Sequence, residues 1–544
     1  MTISRRDLLS ALGVAAGTAA LSPLGVAPAG AATTPNKPVN VYKPYRYQLA
    51  GDHHIHTTYS RDAMYETKTQ VKNAETNGLA WMVITDHGAT AHQKLSIDKI
   101  TPEINDARRS SKVHIFQGLE WNVPGAEHAT LIVPPTPATV QLLKDFEKNY
   151  DGQVLADAKI TKGLNTSDGE QYAVAGIKWL GKQIEAGLIP SALIFANHPA
   201  RKGLDSPHEV RAWRDAYPGI AVGWEGAPGH QMAAHPAVQA AVTASGSTST
   251  NGRGYYDNSP NADSFPGYAP TATENPYRTY GGFDWFTAKV GGLWDSLLAE
   301  GLPWWITANS DSHTNYNDSL IGAHLVKNNP GSNDSSWYNL YGSYGAPIDS
   351  GTKQATYGDF APGAYSSTIV SSISNSYSGI MASLKAGNII VTHGGLIAGA
   401  DVRVYSDKDK RGVTTGGRTF ANKGDNVTAT ITVSLASIAN GSGSIPKLKN
   451  VQLIGGPVTG PVTDKDTMLA PQTSILKNFE VTGDNLTFEF TFKNVQKSFY
   501  IRYRGNNGVN LDKDGLNPKM DVMGNSNPWL DLWFYTNPIF IDVI

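Results

Sequence analysis

Asp52-His53-His54-Ile55-His56-Thr57 is the stretch on which the fold turns. It closes an apolar run that begins near Tyr45. On an extended strand, residues two apart share a face, so His54 and His56 project together and His53 points the other way. Two imidazoles converging from one strand end suggest a metal site. Two hydrogen-bonded structural histidines are the alternative. The rest of the chain decides between them.

Working outward, the same rhythm recurs: an apolar run of strand length, a polar residue at its end, then a loop or a helical stretch. Seven such runs occur. The first ends at His54 and His56. Trp81–Thr85 ends at Asp86 and His87, and Val113–Phe116 leads to Glu120. Ala129–Val133 has His128 at its start. Ala192–Ala196 ends at His198, Ile220–Trp224 at Glu225, and Pro303–Thr307 at Asp311 and His313. Helix-like stretches lie between them at Lys68–Asn77, Tyr172–Ala186, His208–Tyr217 and Phe283–Ala299. Strand–helix alternation predicts a parallel sheet. Functional groups at successive strand ends predict a closed β/α barrel with its site at the C-terminal face. Insertions at 245–282 and 328–365 break the rhythm. Tyr255, Tyr256, Tyr268, Tyr277 and Tyr280 make the first a candidate substrate wall, with plain loop packing as the alternative.

Beyond residue 400 the pattern changes to short alternating runs, Val427–Val433, Val451–Ile454, Leu486–Phe492 and Phe499–Tyr503, between Gly, Asn and Asp turns. That predicts an all-β, sandwich-like domain over 401–544. The aromatic Trp533-Phe534-Tyr535 is expected to pack in the core.

At the other end, Ser4-Arg5-Arg6-Asp7-Leu8-Leu9, the apolar run to Val26 and Ala29-Gly30-Ala31 fit a twin-arginine export signal over 1–31, followed by a linker over 32–44. Export to the periplasm, cell wall or medium is the expectation, with no stable membrane insertion.

The 544 residues carry a net charge of −2, which gives no electrostatic case for nucleic acid. There is no cysteine, so disulfides, thiolate metal sites and a cysteine nucleophile are excluded. Any transition metal must be held by His, Asp and Glu. The polar strand-end residues supply such a set: His54, His56, Asp62, His87, Glu120, His128, His198, Asp311 and His313.

In these residues the chain resembles the polymerase and histidinol phosphatase (PHP) family. The matching motifs are His54-Ile55-His56-Thr57 with Ser60 and Asp62, Ile84-Thr85-Asp86-His87, Gly118-Leu119-Glu120 with His128, Asn197-His198-Pro199, and Ser310-Asp311-Ser312-His313. Arg61, inserted between Ser60 and Asp62, departs from the pattern. The resemblance covers about 45–400. It implies a distorted seven-stranded β/α barrel holding two or three divalent ions: zinc, manganese or iron. His54, His56, Glu120 and Asp311 would hold one ion. Glu120, His128 and His198 would hold a second, and Asp62, His87 and His313 a third. The resemblance implies phosphate mono- or diester hydrolysis by a metal-activated hydroxide, which Asp311 would orient after accepting the proton of the water that forms it.

Asp311, His198 and Arg201 are therefore the candidate catalytic residues. Arg201 and Lys202, close behind His198-Pro199, are candidate phosphate contacts, with an exposed basic loop as the alternative. Glu225 is expected to support the site or touch substrate, Asp86 to orient a neighbour and His53 to be structural. His230, in a Gly/Pro loop, has no assigned role. The expectation is a secreted phosphoesterase acting on a small phosphate ester. An extracellular nuclease and a non-catalytic surface-binding protein on the same scaffold are the alternatives.

Overall fold

The computed structural model describes residues 39–544, except 44, 247–250, 257–258, 272, 326–334 and 484. The proposed export signal and most of the linker lie outside the described residues. The end of that linker is not free chain: Val39–Val41 is a strand, antiparallel to Val413–Ala421.

The seven apolar runs form the strands Tyr47–Asp52, Trp81–Ile84, His114–Gln117, His128–Ile132, Leu193–Ala196, Ala221–Ala227 and Trp305–Ala308. Hydrogen bonding divides them between two sheets rather than one closed parallel barrel. In the first sheet, Tyr47–Asp52, Trp81–Ile84 and His114–Gln117 are parallel neighbours. In the second, the order is Leu119–Asn122, His128–Ile132, Leu193–Ala196, Ala221–Ala227, Trp305–Ala308. Its last three strands are parallel, but His128–Ile132 runs antiparallel to both neighbours. The cause is local. Val123-Pro124-Gly125-Ala126-Glu127 folds the chain back as a hairpin loop, closed by the Val123 N–H to the Glu127 carbonyl at 2.9 Å.

The chain passes between the sheets at Gly118, which separates His114–Gln117 from Leu119–Asn122. A Cβ there would stand 2.6 Å from both the Leu131 carbonyl oxygen and Val83 Cγ1, so only glycine allows the crossing. The sheets meet at two parallel bridges, His87 with Glu120 and Ile55 with Ser312. All four bridge residues flank or belong to the candidate site. In place of the expected closed barrel, two sheets touch where the candidate donor residues sit.

Three of the expected helices form within two residues of the predicted ends: Thr67–Thr76, Glu170–Glu185 and Pro207–Ala216. The last has a capping box, with Ser206 and Glu209 each accepting the other's backbone N–H. The fourth, expected over Phe283–Ala299, is broken into the short strand Phe283–Asp284 and the helices Trp285–Ala288 and Leu293–Ala299. Gly291-Gly292 lies in the break, and Gly291 takes a left-handed φ of 75°.

The expected boundary near residue 400 is not a break in the sheet. Ser366–Ser372 pairs antiparallel with both Tyr47–Asp52 and Ile389–His393, and Ile389–His393 pairs with Trp533–Thr536. The C-terminal strands therefore extend the first sheet, which among the described residues has 15 strands. One hydrophobic core crosses the boundary, joining Trp81, Trp224 and Trp304 to Tyr500, Trp533 and Tyr535. Trp533-Phe534-Tyr535 is core, as expected. A second core, with Val402, Val427, Ile431 and Ile501, lies mainly within the β-rich region and also takes in Tyr365, Ile390, Leu396 and Ile397. The molecule is a mixed α/β protein with a large β-rich C-terminal part. Among the described residues, no helix is long and apolar enough to cross a membrane.

Candidate metal centre

His54 and His56 leave the end of the first strand together, as the two-residue period requires. Their Nε2 atoms face the same carboxylates. His54 Nε2 lies 3.0 Å from Glu120 Oε1 and 3.1 Å from Asp311 Oδ1. His56 Nε2 lies 3.2 Å from both Glu120 Oε2 and Asp311 Oδ1. Each ring is held by its other nitrogen: His54 Nδ1 is 2.8 Å from Glu225 Oε1, and His56 Nδ1 is 2.7 Å from Ser60 Oγ. A histidine anchored through one nitrogen presents the other as a fixed donor.

The anchors are themselves tied. Glu225 Oε2 accepts the His198 backbone N–H at 2.9 Å, so one carboxylate orients His54 and fixes the loop bearing His198. Asp86 accepts from Thr57 N, Thr57 Oγ1 and Ser60 Oγ at 2.7, 2.8 and 2.9 Å. Both residues have the supporting roles expected of them. His53 points away, with Nε2 2.8 Å from Thr307 Oγ1 and its ring stacked on Phe195.

The remaining predicted donors close around the same point. His128 Nδ1 and His198 Nε2 lie 3.1 and 3.4 Å from Glu120 Oε1. His87 reaches Asp62 Oδ2 through Nε2 at 3.0 Å and Glu120 Oε2 through Nδ1 at 2.8 Å. His313 Nε2 is 3.4 Å from Asp62 Oδ1, and its Nδ1 is 3.3 Å from Asp311 Oδ1. Asp62 thus joins the cluster despite Arg61, with its side chain half-exposed at the rim. The structure brings the members of each implied donor set together. Groups with mutually close ligand atoms include His54, His56 and Glu120; His54, His198 and Asp311; His87, Glu120 and His128; and His56, Asp62, His87 and His313.

Whether the cluster fits a metal is decided by its unpaired atoms. His56 Nε2, His87 Nδ1, His128 Nδ1, Glu120 Oε2 and Asp311 Oδ1 are buried and make no well-formed hydrogen bond. Each such atom costs roughly 1–3 kcal/mol. All are imidazole or carboxylate donors aimed at a common centre, so divalent cations fit them. The electrostatics agree. Burial pushes the Glu120 carboxyl up, yet His54, His128 and His87 hold it well below the usual range. Burial likewise raises Asp311, which His54, His230 and His313 outweigh. Burial carries His128 down to about 4 against the pull of Glu120, whereas at His54, His87 and His313 the neighbouring carboxylates outweigh burial and raise the imidazole, so the buried anions draw positive charge to the cluster.

Two residues of the site escape a reading of motifs. Glu127, buried beside His128, lies 3.8 Å from His198 Nδ1, 3.6 Å from Arg201 Nε and 3.2 Å from Lys202 Nζ. Burial raises it, but Arg201, the two imidazoles and Lys202 bring it down to about 2. Its signal was its place next to a donor. His230 Nε2 lies 3.0 Å from Asp311 Oδ2, with Nδ1 against Asp359. A backbone signal marks it: His198, His230 and Asp311 all hold left-handed φ angles, 32°, 51° and 50°. Such angles are rare in residues other than glycine and cluster at functional sites.

The donors open into a cavity of about 300 Å³ whose wall includes Arg61, Leu164, Arg201, Lys202, His230 and Asn251. The tyrosines of the first insertion do not form this wall. Tyr256 and Tyr268 are buried, donating to Asp284 and to the Asp205 carbonyl, and Tyr255 donates to the Ser259 carbonyl. For these side chains, loop packing prevails over the substrate wall.

Fold and site together define a mixed α/β protein with a buried histidine–carboxylate cluster whose donor groups could hold metal. The chain carries a PHP domain: the family model of that description matches residues 52–175. Curated proteins gave no match. Solved structures that match include a candidate metal-dependent phosphoesterase from Bifidobacterium adolescentis, 15% identical, covering 32% of this chain and 76% of its own, with a TM-score of 0.19. Another is Endonuclease Q in complex with a 27-mer duplex bearing an abasic lesion, 16% identical, covering 36% of this chain and 47% of its own, with a TM-score of 0.19.

Proposed function

We propose that this protein is an exported, metal-dependent phosphoesterase acting on small phosphate esters. The observation that carries the proposal is the convergence of nine His, Asp and Glu side chains, several with unpaired buried donor atoms, on a cavity lined by Arg201 and Lys202. His54, His56, Glu120 and Asp311, then Glu120, His128 and His198, then Asp62, His87 and His313 would hold two to three ions of zinc, manganese or iron. Bound there, such ions would lower the pKa of a water and neutralise phosphate charge.

The chain's own groups do the rest. Arg201 and Lys202 bind phosphate oxygens from one wall, and Glu127 beneath them sets their direction. Asp311 orients the attacking water and accepts its proton on a carboxylate oxygen. Glu225 and Ser60 keep the His54 and His56 rings from turning. A cavity of about 300 Å³ suits the terminal phosphate of a small monoester better than the backbone of a polymer. The twin-arginine pattern of residues 4–9 supports export, which puts the substrates outside the cytoplasm.

The test combines metal analysis with a hydrolysis screen over phosphate mono- and diesters, comparing zinc, manganese and iron forms. Two to three ions per chain and monoester turnover are expected. A purified chain that binds no divalent ion and cleaves no ester would sink the proposal. Turnover of DNA or other diesters alone would move it to the nuclease reading.

A further inference from the structure

His230 belongs to none of the nine-donor motifs, yet the fold takes trouble to place it. It follows the Ala221–Ala227 strand in the turn Pro228-Gly229-His230, and its backbone N–H reaches the Ser310 carbonyl at 3.4 Å. Room for this approach is made by two glycines. A Cβ on Gly229 would meet Asp311 Cβ at 2.1 Å, and one on Gly252 would meet His230 Cβ at 2.6 Å. The left-handed φ of 51° at His230 is retained against its steric cost.

Both ring nitrogens are committed. Nε2 is 3.0 Å from Asp311 Oδ2, and Nδ1 contacts Asp359 Oδ1. Asp359 is a hub: its Oδ2 accepts the backbone N–H groups of His313 and Thr314, each at 2.6 Å. One buried carboxylate from the end of the second insertion therefore fixes both the His230 ring and the chain that carries His313. Asp311 is divided by this arrangement. Oδ2 is taken by His230, whereas Oδ1, without a hydrogen bond, faces His54, His56 and His313 at 3.1, 3.2 and 3.3 Å.

We propose that His230, held by Asp359, is a positioning residue for Asp311: it occupies Oδ2 and keeps Oδ1 as the oxygen turned to the metal centre. The inference rests on Asp311 being a metal ligand. A ligating carboxylate that is itself hydrogen-bonded cannot swing between one- and two-oxygen attachment, and loss of such a partner costs roughly 10–100-fold in metal affinity or activity.

The test is titration of the metal-stripped full chain with Co²⁺, following affinity, stoichiometry and the visible ligand-field bands, in wild type, His230→Gln, His230→Asn and His230→Leu. Gln can extend a donor to Asp311 where His places Nε2; Asn is too short and keeps only the Asp359 side. The number of ions should stay constant. Affinity should fall about tenfold in His230→Asn and His230→Leu with shifted bands, and Gln should restore most of it. On an aryl phosphate, kcat should fall in the same order with KM unchanged. Identical affinity and bands in all four proteins would overturn the inference, and so would the loss of one ion in both Gln and Asn, which would make His230 a ligand. A raised KM with unaltered Co²⁺ binding would make it a substrate contact and equally overturn it. If His230→Leu fails to fold, the Gln–Asn pair decides alone. Wild type that takes up no Co²⁺ would sink the metal reading itself, a result distinct from all of these.

Discussion

Arg253 and Glu120 are both fully buried, but their surroundings differ in kind. Arg253 joins the first insertion to the C-terminal region. Its Nε and Nη2 lie 3.2 and 3.0 Å from Asp521 Oδ1, Nη2 lies 3.3 Å from Asp531, and Nη1 donates to Tyr365 Oη at 3.0 Å. Asp521 Oδ2 in turn accepts from Thr279 Oγ1 and Gly282 N, each at 2.8 Å. Every polar atom of that guanidinium has a partner. Glu120 has four imidazoles within 3.2 Å and a fifth at 3.4 Å, yet its Oε2 makes no well-formed hydrogen bond. Charge burial at Arg253 is complete within the chain, as scaffold requires. Charge burial at Glu120 rests on imidazoles and leaves Oε2 without a hydrogen bond, an oxygen that the cation of the proposed function would take up. The difference separates a structural ion pair from a binding site at equal burial.

The sharpest way to break that comparison is to remove a donor from the open cluster. Asp311→Asn or His198→Ala should take hydrolysis of an aryl phosphate ester down to background, with the fold intact by circular dichroism. Loss of an outer-shell partner alone costs about 10–100-fold, so removal of a donor should exceed it. Undiminished turnover in both variants would remove these residues from the chemistry. The closed pair should respond in the opposite way. Arg253→Met leaves Asp521 and Asp531 buried with one cation fewer and should cost about 3–5 kcal/mol of stability. Metal content per folded chain should not change. A Tm equal to wild type would show that the pair adds nothing to the scaffold.

Chelation sharpens the contrast from the other side. A ligand that binds only the folded state, present at 100 times its Kd, stabilises by about 2.7 kcal/mol. Stripping the metal should therefore lower Tm by a comparable free energy in wild type and Arg253→Met alike. The effect should shrink in His198→Ala. An unchanged Tm on chelation would mean that the orphaned atoms of Glu120 and Asp311 find their partners in solvent rather than in a cation.

The residues of the cluster were legible in sequence because strand periodicity puts His54 and His56 on one side and because the later ones, the loop residue Asp62 apart, lie at or just past the ends of apolar runs. The sheet connections were not. Strands buried on both faces show no alternation, so the direction of His128–Ile132 leaves no trace in its own residues. The trace was next to it: five residues containing Pro124-Gly125 between two runs signal a hairpin, and a hairpin forces an antiparallel neighbour. The union of the β-rich part with the first sheet rests on Ile389–His393 pairing with Trp533–Thr536, a long-range contact that no local pattern encodes. Glu127 and Asp359 were missed for a related reason. Neither sits on a motif, and each acts through side chains brought to it by the fold.

Between the closed pair and the open cluster stands Arg201, the smallest expected effect. It is partly exposed, and its ion-pair partner among the described residues, Glu127, is shared with Lys202 and sits 3.6 Å from its Nε, longer than a good charge-assisted hydrogen bond. Nε is buried and without a hydrogen bond, while the side chain lines the cavity. Glu127 thus orients the guanidinium without saturating it, as a residue that waits for an anion should be held. If it binds phosphate in ground and transition states alike, Arg201→Ala should raise KM roughly tenfold and leave kcat nearly constant. Inorganic phosphate should also inhibit the variant more weakly than wild type. A fall in kcat at constant KM would instead place Arg201 on the transition state. An unchanged KM would leave it as the counter-ion of Glu127, a closed pair like Arg253 at the edge of an open site.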